Sequence, residues 1–280
     1  MLRYLVPTGV LLAFGMPLAR WLAPQGVEPL AFAFWPTAAA GLALALLAAA
    51  RGQGVLRADV LRFGALAGLG GYALPMTGAF WLATMAGAAF ASLAFTLPPL
   101  FTLALNLLLG RERWRWWRVG AIGVGLAGAL LLVLRGPAQG PASAWPLVLV
   151  LAVPALIGGT NVYRSIHLPR GVAPAWLGAL TLTAAAAMLL LAGLTRDALD
   201  VPLQPAVLAG LAAQALALVA GYLCYFELQR RADAVSFSFL GYVTMLTGVA
   251  IGALVLGEQL AWTTLPAALL ILLALWMVTR

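Results

Sequence analysis

The sequence predicts an all-α integral membrane protein of ten transmembrane helices, built as two inverted five-helix repeats over residues 1–135 and 145–280. Three observations predict it. The chain is 64% hydrophobic and 9% charged, with a mean hydropathy of +1.02. Soluble domains carry roughly 25% charged residues, and so few charges cannot cover a water-facing surface. The arginines cluster in short connections between apolar runs, and the chain matches itself when shifted by 146 residues.

A spanning helix needs about 20 mostly apolar residues. In order, the runs are Leu2–Trp21, Pro29–Ala50, Phe63–Thr84, Ala88–Leu109, Trp116–Leu134, Trp145–Tyr163, Pro174–Leu194, Pro205–Phe226, Val235–Leu256 and Ala261–Val278. The first follows Arg3 and resembles a leader, but no small-x-small cleavage site follows it, so it reads as a retained helix. The connections "RGQGVLRAD", "RGPAQGP", "HLPRGVAP" and "TRDALDVPLQP" hold most of the Gly, Pro and charge. No soluble domain fits between them.

Orientation follows from the arginines, because cytoplasmic loops retain positive charge during insertion. With the N-terminus inside, Arg3, Arg51, Arg57, Arg62, Arg111, Arg113, Arg115, Arg118, Arg164, Arg170, Arg230, Arg231 and Arg280 fall on the inner side. Only Arg20, Arg135 and Arg196 fall outside, a split of 13 to 3. Both termini are thus expected in the cytoplasm of a plasma membrane, a bacterial inner membrane.

The net charge of +8 and pI near 10.8 raise the question of nucleic acid. Phosphate recognition needs a contiguous basic face, and here the basic residues are confined to loops. The stretch "LLLGRERWRWWRVG" is accordingly the inner turn between spans four and five, with Trp114, Trp116 and Trp117 as interfacial anchors. Trp21, Trp145 and Trp262 take that role at the outer face, and Trp176 and Trp276 at the inner one. The lone Cys224 supplies no disulfide, and neither a metal cluster nor a cofactor motif is present.

Shifted by 146 residues, Phe80–Trp116 overlies Phe226–Trp262 without a gap, and 10 of 37 positions are identical, among them Phe80/Phe226, Ser92/Ser238, Glu112/Glu258 and Trp116/Trp262. Each half holds five spans, an odd number, so the second half enters from the opposite side. Inverted repeats are a recurring plan of secondary transporters, whose halves rock about a site near the midplane.

The segments "ASLAFTLPPLFTLALNLLLGRERW" and "VSFSFLGYVTMLTGVAIGALVLGEQLAW" resemble the drug/metabolite transporter superfamily, specifically its EamA-type ten-helix carriers. That family closes spans four and nine with a proline, an apolar run and Gly-Glu. Here Pro99 precedes Glu112 by thirteen residues, and Met245 precedes Glu258 by thirteen. Two departures stand out: Arg111 separates Gly110 from Glu112, and Met245 replaces the second proline. The resemblance implies export or exchange of a small metabolite, amino acid, aromatic or cationic compound.

Polar and irregular residues at membrane depth are costly and single out candidates. Gly158-Gly159 is expected to loosen span six just before Thr160 and Asn161, whose amide needs partners from a neighbouring helix or a substrate. Trp35 lies about 9 Å into span two at 1.5 Å per residue. Phe95, Tyr242, Tyr163, Tyr222, Tyr72 and Trp81 add aromatic surface. Pro98-Pro99 is expected to bend span four, and Glu227 to pair with Arg230 and Arg231 on one helix face. Asn106, Gln214 and the small residues of "GAIGVGLAGA" read as helix packing.

The partners expected are a small-molecule substrate and the lipid bilayer, with a homodimer left open. A membrane enzyme or a non-transporting scaffold is the alternative. The eight acids form no pair at helical spacing inside a span, and one histidine supports no Ser-His or Cys-His site. With no titratable residue in the midplane stretches, transport without obligatory proton coupling is expected.

Overall fold

The computed structural model describes residues 2–79, 95, 97–133, 145–196, 198–255 and 264–279. Trp81, Glu258 and much of the segment that matches between the halves lie outside these. The described residues are helical apart from short connections. The helices are α1 (Leu2–Ala13), α2 (Gly15–Leu22), α3 (Pro29–Ala50), α4 (Ala58–Gly68), α5 (Pro98–Leu108), α6 (Trp116–Val133), α7 (Trp145–His167), α8 (Pro174–Leu194), α9 (Pro205–Arg231), α10 (Ala234–Ser238), α11 (Leu240–Val255) and α12 (Thr264–Thr279).

Local chemistry sets the boundaries. Helices α3, α8 and α9 each begin on a proline, where the missing N–H is no loss. Helix α3 ends as Gly52 turns left-handed at φ 62°, which frees Gln53 N–H to donate to Ala48 O at 2.8 Å. The first expected span divides at Phe14, because Pro17 cannot donate to the carbonyl of Ala13, the last residue of α1. The ninth divides as well: Asp233 caps the short α10 by accepting from Ser236 N–H at 2.9 Å, and α11 starts anew at Leu240.

Pro98-Pro99 stands at the first turn of α5, and residues 80–94, the other arm of the expected bend, lie outside the described residues. One expectation needs correction. Helix α7 runs unbroken through Gly158-Gly159, and Gly158 instead admits the backbone of α5, since an added Cβ would lie 3.0 Å from Thr102 N. The expected third span does lose regular α-geometry, widening into a π-turn over Leu69–Ala73 before helix resumes over 74–79.

The packing follows a repeated pattern. Helix α3 packs on α8, and α6 on α12. Helix α1 lies against α9 and α11, while α7 lies against α4, the π-turn and α5. Small residues allow the close crossings. A Cβ on Gly64 would strike Leu180, one on Gly68 would lie 3.0 Å from Ala185 N, and Gly128 of "GAIGVGLAGA" faces Ala267 and Ile271 of α12. Leu46, Leu191, Leu216, Leu254 and Leu265 point outward, the inside-out arrangement that hydrocarbon permits. Helices α3, α8, α9 and the Leu2–Gln25 segment are each long and apolar enough to cross a bilayer. The protein is a multi-pass membrane protein.

Candidate functional site

Three helices, α4, α7 and α9, converge on a buried polar and aromatic cluster. Helix α9 contributes Tyr222 and Tyr225, three residues apart and so on one face, with rings stacked at 5.2 Å. Phe226 joins them, its ring tilted against Phe63 of α4 at 6.2 Å, and Phe63 stacks on Tyr163 of α7 at 5.9 Å. Tyr72, in the π-turn, meets Tyr222 at 6.4 Å and shares a 3.0 Å hydrogen bond between its hydroxyl and that of Thr37. Tyr72, Tyr163 and Tyr222, named from sequence, therefore belong to one aromatic wall.

Asn161 is 2% exposed on α7, and one turn later on the same face stands Arg164, 1% exposed. Sequence reasoning placed Arg164 in an inner loop; it lies within α7, which continues to His167. Its Nη1 donates to the Tyr225 hydroxyl and its Nη2 to Ala67 O at 2.8 Å. The guanidinium carbon lies 5.1 Å from the Tyr225 ring centroid. The Nε–H has no partner among the described residues. The π-turn explains how the group fits, because a Cβ on Gly71 would run into the guanidinium. The available signal was spacing: an arginine at i+3 from a buried amide, four residues before the first helix-breaking Leu168-Pro169.

The other candidates lie elsewhere. Trp35 is 44% exposed, and its indole N–H donates to Leu199 O at 2.8 Å, which ties α3 to the connection after α8. It is a rim anchor and not a wall of the Arg164 cluster. Replacing it with alanine is expected to lower thermal stability in detergent while leaving the transport rate per folded molecule within twofold of wild type. Tyr242 is fully buried between α6 and α11, its ring edge-on to Phe239 at 5.2 Å. Phe95 touches that region through its carbonyl, which a Cβ on Gly241 would strike.

Where α6 meets the start of α10 sits a second polar group. Arg118 reaches Glu112 at 3.0 Å and grips both Asp233 oxygens at 3.1 Å. Burial pushes the Asp233 carboxyl up, yet hydrogen bonds from Ser236 and Arg118, together with the Arg118 charge, hold it below the usual carboxylate range. Beside this network opens a cavity of about 340 Å³ lined by residues that include Asn106, Arg111, Ser165 and Gln229. Gln229 is 3% exposed, and neither amide atom has a partner among the described residues. Glu227 pairs with Arg230 at 3.4 Å and Arg231 at 3.2 Å, as its spacing predicted. A separate open groove of about 480 Å³ runs along α7 past Ala152, Leu156 and Thr160 and is almost wholly apolar.

Arg164 and Asn161 can bind and orient a polar group inside an apolar wall, but the cluster holds neither a nucleophile–base pair nor two carboxylates. A solved crystal structure superposes with a TM-score of 0.82 at 19% identity, covering 98% of this chain and 96% of that one; it establishes the fold. A search of the curated proteins finds no match. The sequence profile of the EamA-like transporter family matches residues 4–134 and again residues 144–280. With both halves of the chain matched, and a helical fold that buries a polar cluster between them, the protein belongs to the EamA-like transporter family.

Proposed function

We propose that the protein is a secondary carrier that exports or exchanges a small organic metabolite by alternating access about the α4–α7–α9 cluster. Ten spans, in two inverted five-helix repeats over residues 1–135 and 145–280, would supply the two rocking halves. Both termini would lie in the cytoplasm. The observation that carries this reading is the position of the cluster. It lies where α4 and the π-turn of the first half meet α7 and α9 of the second. A group bound there is held by both halves, so their relative motion exposes it to one side or the other.

The helix contacts support it further. In the numbering of the ten spans, first on eighth has its counterpart in sixth on third, and first on ninth in sixth on fourth. A pattern that recurs five spans later is what a duplicated unit produces.

Sidedness is tested in a Cys224→Ala background carrying either Trp114→Cys or Gln259→Cys. A membrane-impermeant maleimide is expected to label position 114 only from inside and position 259 only from outside; labelling from the same side would remove the inverted repeat. Activity is tested by counterflow in proteoliposomes, where Asn161→Ala is expected to lower flux at least tenfold while folded yield stays near wild type. Unchanged flux would leave Asn161 as a packing residue.

A further inference from the structure

We propose that Arg164 is the anchor for a carboxylate on the transported molecule, so that the substrates are small organic acids or zwitterions and not cations. This rests on the carrier reading above and narrows it.

Position comes first. Helix α7 runs toward the cytoplasm, and helical side chains lean toward their own N-terminus. An arginine near the end of α7 is therefore carried inward, away from the headgroups to which a long cation otherwise snorkels. It reaches Ala67 O, nine residues from the start of α4, about 13 Å along the helix axis at 1.5 Å per residue.

Charge comes second. A buried cation in a membrane protein is expected to pair with a carboxylate. Arg57, Arg115, Arg118, Arg230 and Arg231 have acidic partners among the described residues. Arg164 has a phenol and a carbonyl, both neutral. Residues 80–94, outside the described set, contain no acidic residue. An unneutralised buried charge is strongly unfavourable, and a fold selected only for stability would place an apolar side chain there.

Donor geometry comes third. A guanidinium has five N–H donors in a rigid fork. Two hydrogen bonds are made, and Nε–H, on the edge that offers a parallel pair with one Nη, makes none. That edge is the one that takes a carboxylate bidentately. Asn161, one turn away on the same face, adds an amide, and Tyr222 and Tyr225 add a flat apolar wall. A cationic substrate would meet like charge at the centre of this arrangement.

The test measures binding by thermal stabilisation of the purified full chain, followed by counterflow in proteoliposomes. The probes are leucine, phenylalanine and succinate, each against its amide (leucinamide, phenylalaninamide and succinamide). At least one carboxylate is expected to bind tenfold or more tightly than its amide. That preference is expected to vanish in Arg164→Gln and to survive in part in Arg164→Lys. Equal binding of acid and amide, no binding by any carboxylate, or acid preference intact in Arg164→Gln would each overturn the proposal. If Arg164→Gln does not fold, the acid–amide comparison on the wild type decides alone. The carrier reading fails separately, if a carboxylate binds with the expected preference but shows no counterflow.

Discussion

Replacing Arg118 with glutamine is expected to release the end of the protein at which α6 meets α10. Arg118 is the cation between two carboxylates, Glu112 beside the start of α6 and Asp233 at the N-terminus of α10. Without it the two acids face each other across a partly buried space, and Asp233 keeps only its bonds to Ser236. Breaking a fully buried pair costs about 3–5 kcal/mol, but the Asp233 side chain is 46% exposed, so about 1–2 kcal/mol is expected here. The double variant Arg118→Gln/Asp233→Asn is expected to recover part of that loss, because the two acids no longer repel each other and Glu112 keeps Arg115 at 3.9 Å. In a Cys224→Ala background, a cysteine at Gln229 should react faster with an aqueous maleimide when Arg118 is replaced. An unchanged labelling rate would mean that the network does not close this face. Because Asp233 titrates below its ordinary value, its contribution is complete above a pH of about 4 and is lost as pH falls through that lowered value. Acidification from pH 7 to pH 5 should therefore leave the wild-type closure intact.

Gly71→Leu is expected to abolish transport outright. At Gly71 the π-turn passes so close to Arg164 that even a Cβ overlaps the guanidinium. A leucine must either push Arg164 off Tyr225 and Ala67 or unwind the turn, and overpacking of this kind costs about 1–3 kcal/mol. Gly123→Leu is the control, since a Cβ there meets nothing within 4 Å. The comparison is counterflow per folded molecule together with thermal stability in detergent. Gly71→Leu should lose both, and Gly123→Leu should keep both. Full activity in Gly71→Leu would mean that Arg164 does not need its observed position.

Much of the architecture was legible because a bilayer imposes few rules and imposes them strongly. Hydrocarbon satisfies no backbone polar group, so long apolar runs must be helices, and α3 and α8 match their expected limits, Pro29–Ala50 and Pro174–Leu194. The Glu227 pairings with Arg230 and Arg231 were readable from helical spacing alone. Boundaries that depend on neighbours were not. The break at Phe239 and the π-turn at Leu69–Ala73 sit where another segment presses close, Phe95 on Gly241 and Arg164 on Gly71.

The site divides along the same line. Composition determined by itself that the chain lives in a membrane, and the 146-residue self-match, together with the family signature it carries, determined that it is built from two like halves. Residue type also drew attention to Tyr72, Tyr163, Tyr222 and Asn161, because polar and aromatic groups at membrane depth need a reason. Only the tertiary structure decided that Trp35 faces outward and that Arg164 faces inward. Both residues are amphipathic and sit near helix ends, where sequence cannot tell rim from core. The direction in which each side chain leaves its helix, and the helix that meets it there, settle the difference: Leu199 O holds Trp35 at the edge, while Ala67 O and Tyr225 hold Arg164 in the core.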